Sequence, residues 1–191
     1  MKKNDLCLIV MDNCKELGEK IDNYLKKIRK TDKSFILPIE AVRFNDGEGK
    51  VQLLSSIRGK DVFIISDTHN YSITYKMYGI EHNMSPDEHY QDIKRVILAM
   101  MGHAKNINVV MPFLYESRQH RRKSRESLDC ALALQELKAL GVNNIISFDI
   151  HDPNVQNAVP TMSIDNFFAT NNMLKEFIKK ENIDTDNTII I

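Results

Sequence analysis

Cysteine, glycine and proline are all scarce in this sequence, at three, seven and five of 191 residues. Three cysteines without paired spacing exclude a disulfide-stapled scaffold and a cysteine-based zinc site. Cys7 falls in an apolar stretch and Cys130 in a predicted helix, so buried free thiols are expected, and with them a reducing cytoplasm. So little glycine and proline excludes a collagen-like or low-complexity chain. Neither sign of charge is in surplus, since 26 Lys and Arg balance 26 Asp and Glu. No global field therefore draws the chain to nucleic acid or to a membrane, and an anion site has to come from local clustering. Long apolar runs are missing too, which argues against a bilayer span. Lys2 and Lys3 precede only a short apolar run that breaks at Asp12, which is not the pattern of a signal peptide. No Gly-x-x-x-x-Gly-Lys-Ser/Thr stretch occurs, so a P-loop is excluded.

What is present is alternation. Leu6 to Met11 reads as a buried strand. Asp12 or Asn13 is placed to cap a helix to about Arg29, with Leu17, Ile21, Leu25 and Ile28 on one face. Phe35 to Val42 and Lys50 to Leu54 read as strands around the turn Asn45-Asp46-Gly47-Glu48-Gly49, which makes an early hairpin. Asp61 to Ser66 is a further strand, and residues 67 to 84 show no period and read as an irregular excursion. Ser85-Pro86-Asp87-Glu88 is a capping box. It opens a helix to about Ala104 that carries Ile93, Val96, Ile97, Met100 and Met101 toward the core. Ile107 to Met111 reads as strand, Ser127 to Leu140 as helix stopped by Gly141, and Asn144 to Phe148 as strand. Asp165 is placed to cap a last helix to about Lys180, and Asn187 to Ile191 reads as one more strand. The expected fold is α/β: one domain with a mainly parallel twisted sheet, helices on both faces and an early antiparallel hairpin. Because ligands in such sheets bind beyond the carboxyl ends of the strands, a chain stopping on a strand reads as the first part of a longer protein.

Two clusters fall at expected strand ends. Arg118-Gln119-His120-Arg121-Arg122-Lys123-Ser124-Arg125 carries four arginines and one lysine in eight residues. Guanidinium forks suit phosphate oxygens, although on chemistry alone a solvated basic face remains an equal reading. Phe148-Asp149-Ile150-His151 brings a carboxylate and an imidazole, which by strand alternation would share a side and hold a metal directly or through water. A purely structural pair stays open, and Asp152 is placed to orient His151 instead. At the hairpin tip, Phe44 with Asp46 and Glu48 offers an aromatic face and two acceptors for a base; an ordinary polar turn with Phe44 folded inward is the alternative. His82 and His89 have no ligand spacing and read as surface residues.

Taken in order, these pieces resemble one family. Arg43-Phe44-Asn45-Asp46-Gly47-Glu48 with Ser56-Ile57-Arg58-Gly59-Lys60-Asp61-Val62-Phe63-Ile64-Ile65 resembles the amino-terminal signature of ribose-phosphate pyrophosphokinases. Tyr115-Glu116-Ser117-Arg118-Gln119-His120-Arg121-Arg122 is similar to that family's Tyr-x-Arg-Gln-Asp-basic-basic loop. Phe148-Asp149-Ile150-His151, followed by Val155-Gln156, resembles its Asp-Leu-His element. The likeness runs over most of residues 36 to 165 and is weak through 67 to 104. His120 departs from the family's usual Asp, the loop is about one residue short, and an acidic residue that often contacts adenine is missing.

The resemblance implies a phosphoribosyltransferase-like fold and transfer of the β,γ-diphosphoryl group of MgATP to the anomeric hydroxyl of ribose 5-phosphate. The products would be phosphoribosyl diphosphate and AMP. By motif position, Phe44 would stack on adenine while Asp46 and Glu48 read its edge, often from a neighbouring subunit. Arg118 and Gln119 would contact ATP, and His151 would help hold Mg2+, with Asp149 nearby. The catalytic loop and ribose-phosphate loop of the family's second half are not found in this sequence, so no residue is assigned a catalytic role. The expectation is an amino-terminal, ATP-binding half that meets ribose 5-phosphate only through a missing half, forms homo-oligomers and turns over little alone. The alternative is a non-catalytic regulatory or assembly homologue. An RNA-binding use of the arginine loop is disfavoured by the balanced charge.

Overall fold

The structure, a computed structural model, describes residues 6–184 and residue 187. Five parallel strands form its centre in the order β1-β4-β7-β8-β9: β1 (Leu6–Val10), β4 (Asp61–Ile65), β7 (Asn106–Val110), β8 (Asn144–Phe148) and β9 (Ser163–Phe167). The strands lie side by side in chain order, so each crossover carries its helix or hairpin across a face. One apolar row runs straight through the sheet, buried except at its partly exposed end: Ile9 pairs with Ile64, Ile64 with Val109, Val109 with Ile145 and Ile145 with Ile164. On that face α2 (Pro86–Ala99) and α3 (Asp129–Ala139) contribute Ile93, Val96, Ile97, Leu134 and Leu137 to the core. Burying one such side chain contributes about 2 kcal/mol. The other face presents Leu8, Ile65 and Val110 to α1 (Lys15–Arg29) through Ile21 and Leu25.

The capping box of α2 is present in both directions, and Gly141 after α3 adopts φ 95°, the left-handed stop that its type favours. The expected hairpin forms between β2 (Ile39–Arg43) and β3 (Gly49–Leu53). Its first strand is shorter than the run Phe35 to Val42. Around Pro38, which has no N–H, the chain leaves a brief parallel pairing of Ile36 with Leu8 and starts a new ladder.

Several expectations are corrected. α1 begins through a 3-10 turn, Asp12–Cys14, with no side-chain cap, because the Asn13 side chain bonds to Ser66 and Asp67 instead. Its inward face is Gly18, Ile21, Asp22 and Leu25, and Leu17 and Ile28 stay exposed. The rotation has a polar cause: Asp22 accepts the Phe35 N–H at 2.7 Å and the Ser34 hydroxyl at 3.0 Å, which ties helix to chain crossing.

Residues 67 to 84 are not wholly irregular, since they contain a second hairpin of β5 (Thr74–Met77) and β6 (Ile80–Asn83). Its turn is Tyr78-Gly79 with φ 49° and 83°, the mirror-image geometry that suits hairpin twist. His89 is buried rather than on the surface, with Nε2 2.9 Å from the Asn70 carbonyl, so that nitrogen carries the proton. Met100 is in the core, but α2 ends at Ala99 and Met101 turns out at φ 51°. Asp165 caps no helix; it lies in β9 and accepts from Asn144, and α4 spans Thr170–Lys180. The expected strand Asn187 to Ile191 lies, apart from Asn187, outside the described residues.

All three cysteines are buried and unpaired, and burial pushes each thiol up to about 11. Among the described residues no helix is long and apolar enough to cross a membrane.

Candidate functional site

The parallel sheet aims the ends of β4, β7 and β8 at one edge, and the chemistry-bearing loops follow those ends directly. After β7 the chain is anchored before it becomes basic. Leu114 is buried in the core, and Tyr115 lies on Tyr90 of α2 and donates its hydroxyl to Asp87 at 2.8 Å. Ser117 is buried, the Gln119 N–H bonds to the Glu116 carbonyl at 2.8 Å, and the Cys130 N–H reaches back to the Gln119 carbonyl at 3.3 Å. Between these anchors Arg118 and residues 121–125 project into solvent.

Arg118, Gln119, His120, Arg121, Lys123 and His151 line a hollow of about 580 Å³ together with Glu126 and Ser127. None of Arg118, Arg121, Arg122, Lys123 and Arg125 is in an ion pair among the described residues. Apart from Glu126, whose carboxylate accepts the Lys123 N–H at 3.2 Å, the side chains lining this hollow are neutral or basic, an arrangement whose chemistry suits a polyanion.

The end of β8 is arranged differently from the strand-alternation expectation. The strand stops at Phe148, and Asp149 turns left-handed at φ 45° while its N–H bonds to the Phe167 carbonyl. His151 lines the hollow and Asp149 does not; Asp149 stands exposed beside it. Asp152 orients His120 rather than His151: His120 Nε2 sits 3.3 Å from the Asp152 carboxylate, and the His120 ring meets the His151 ring edge-on at 5.2 Å. The His120 side chain is only 10 % exposed, and its Nδ1 is buried with no hydrogen-bond partner among the described residues. The Asn154 N–H holds the Asp152 carboxyl below its ordinary range, with His120 and Arg121 adding to the pull against partial burial.

A second basic hollow, also about 580 Å³, lies at the opposite edge of the sheet, beside Arg29, Lys30, Lys33, Lys60 and the start of β1. It has no imidazole or carboxylate in its lining and sits at the amino ends of the strands, where open α/β sheets rarely bind ligands. The hairpin tip is a separate place again. Phe44 is 47 % exposed rather than folded into the core, and Asp46 caps the turn by accepting the Glu48 N–H at 3.0 Å. None of Phe44, Asp46 and Glu48 lines the carboxyl-edge hollows.

The match to known proteins settles the family. A family model described as the N-terminal domain of ribose phosphate pyrophosphokinase matches residues 6–141. The chain belongs to this family. A ribose-phosphate pyrophosphokinase of Staphylococcus haemolyticus (strain JCSC1435) is 30% identical over 151 residues, 78% of this chain and 42% of that protein. Another, of Corynebacterium ammoniagenes, is 34% identical over 116 residues, 60% of this chain and 32% of that protein. The chain thus spans less than half the length of these relatives. The fold is shared with the crystal structure of phosphoribosylpyrophosphate synthetase from Mycobacterium smegmatis, at a TM-score of 0.74 and 21% identity, over 92% of this chain and 52% of that one.

Within this pyrophosphokinase-type domain, one group at the edge escaped sequence reading. Asn13, Ser66, Asp67 and Asn70 form a hydrogen-bonded set at the ends of β1 and β4. His69 beside them meets Phe113 at 4.3 Å and shares a smaller hollow with Tyr115, Arg118 and Gln119. Burial holds the His69 imidazole below its ordinary value, with Arg118 and His89 acting in the same direction against Asp67. The signal available was position alone: these residues follow a strand end at the edge where ligands bind.

Proposed function

We propose that this chain is the ATP-binding half of a ribose-phosphate pyrophosphokinase. The reaction is attack of the anomeric hydroxyl of ribose 5-phosphate on the β-phosphorus of MgATP. The bond from that phosphorus to the α-phosphate oxygen breaks, and AMP leaves. The observation that carries this reading is the hollow of Arg118, Gln119, Arg121, Lys123 and His151, whose Arg118, Arg121 and Lys123 are in no ion pair among the described residues. Such a transfer needs charge neutralisation and positioning more than covalent chemistry. Arg118 offers a planar fork to phosphate oxygens and Gln119 an amide beside it. Arg121 and Lys123 add charge along the phosphate chain.

Magnesium fits this edge only as an ion that arrives on the nucleotide. No three His, Cys, Asp or Glu gather to hold a metal among the described residues. Mg2+ takes most of its six oxygens from phosphates and water, so the two groups here, His151 and exposed Asp149, suffice as outer contacts. When bound, the ion would neutralise the phosphate oxygens, and His151 with Asp149 nearby would help hold it at this edge.

The exposed tip of Phe44, Asp46 and Glu48 lies away from the hollow, which supports a base contact made by a neighbouring copy in a homo-oligomer. Ribose 5-phosphate would bind through the carboxyl half present in the longer relatives, so the chain alone should turn over little or nothing. A regulatory or assembly homologue is the second reading, favoured by one observation: His120 is committed to Asp152.

The test is a calorimetric titration with ATP in magnesium. Saturable binding that weakens tenfold or more in Arg118→Ala, the loss of about 1.4 kcal/mol expected for one charge-assisted contact, supports the nucleotide reading. No binding by the wild-type chain favours the regulatory one.

A further inference from the structure

The second hairpin lies where the family resemblance is weakest, yet it is built against the tip that carries Phe44. The Tyr78 N–H donates to the Asn45 carbonyl at 2.9 Å, which ties one turn to the other. A Cβ on Gly47 would come 3.2 Å from Met77 Sδ and 3.4 Å from Tyr75 Oη, so the two tips are packed closely. Below them the Arg43 guanidinium sits 5.4 Å over the Tyr75 ring and 2.6 Å from Asp92 of α2. The Tyr75 hydroxyl donates to Glu88 at 2.6 Å. Both hairpins are therefore held to α2 as one body.

Tyr78 closes the turn of the second hairpin and, like Ile80 beside it, leaves its side chain exposed. Its φ of 49° is a conformation that favours glycine or asparagine, and its ring is 76 % exposed. One residue from its hydrogen-bond partner stands Phe44, also exposed, followed in the same turn by the acids Asp46 and Glu48. The joint tip thus offers two aromatic surfaces and two carboxylates. The carboxylates of Asp46 and Glu48 on one copy and a cationic hollow on another are complementary in charge.

We infer that Tyr78 is a second base-contacting residue, which together with Phe44 seats the purine of a nucleotide whose phosphates lie in the cationic hollow of a second copy of the chain. This rests on the nucleotide reading proposed above. A purine offers flat π faces to both rings, and the tyrosine hydroxyl adds a polar atom at the rim.

The test compares MgATP with magnesium tripolyphosphate, which lacks the base, by calorimetry and thermal unfolding on wild type, Tyr78→Gly, Tyr78→Phe and Arg118→Ala. Tyr78→Gly removes the ring and relieves the left-handed backbone. It should weaken MgATP about tenfold, leave tripolyphosphate unchanged and not lower Tm. Tyr78→Phe should keep most of the affinity, and Arg118→Ala should weaken both ligands. Wild-type MgATP affinity in Tyr78→Gly, with loss in Arg118→Ala, overturns the role of Tyr78 and leaves the phosphate reading standing. Equal loss of both ligands in Tyr78→Gly also overturns it, as a structural effect. A wild-type chain that binds neither overturns both readings.

Discussion

The ring of Tyr115 lies nearly parallel on that of Tyr90, with centroids 4.3 Å apart and planes 6° apart. Tyr90 is buried and donates to the Ala133 carbonyl at 2.7 Å, so the stack fixes the start of the basic loop to α2 and α3 together. Tyr115→Ala should lower stability by about 2 kcal/mol, from lost area and lost stacking, and should weaken MgATP without having touched it. Tyr115→Phe keeps the stack and loses only the bond to Asp87, about 1 kcal/mol. Urea unfolding of the two variants checks the order.

Gly18 is required where α1 crosses β1. A Cβ there would sit 2.3 Å from one methyl of Val10 and 2.5 Å from the other. Gly18→Ala should therefore destabilise by about 2 kcal/mol despite the better helix propensity of alanine. Val10→Ala in the same chain should recover much of that loss. A double-mutant cycle with no coupling would place the cost elsewhere.

Asp22 makes stability depend on acid. Burial raises its carboxyl, but the bond to Lys26, the Phe35 N–H and the Ser34 hydroxyl outweigh this and hold it below the ordinary aspartate value. A lowered folded value means a contribution complete above about pH 4, where the unfolded group is ionised, and lost as pH falls through the folded value. At neutral pH Asp22→Asn should cost about 2 kcal/mol. The gap in Tm between wild type and Asp22→Asn should narrow on going from pH 5 toward pH 2, followed by circular dichroism; a gap constant with pH would contradict the assignment.

How much of this was legible follows from which forces wrote it. β1 and β4 were readable because strands buried on both faces are near-continuous apolar runs, and β7 and β8 because their β-branched residues form short apolar segments after a helix. The capping box and Gly141 were readable because caps are local. The inward face of α1 was not, since Leu17 and Ile28 look like core residues and the interior took Gly18 and Asp22 for packing and hydrogen bonding. The second hairpin was hidden by its short polar strands and by a Tyr-Gly turn in place of Asn-Gly. At the site, the basic loop and His151 were legible as chemistry at a strand end. The pairing of His120 with Asp152 was not, because it depends on how two loops from different strands meet.

The most direct measurement is amide chemical-shift mapping of the isotopically labelled chain titrated with ATP in magnesium, because two basic hollows of equal size compete for the anion. The expected result is that the largest shifts fall at 117–127 and 149–152, around Arg118 and His151. Shifts confined to 29–37 and 55–60, around Lys30, Lys33 and Lys60, would contradict the assignment of the nucleotide to the carboxyl edge.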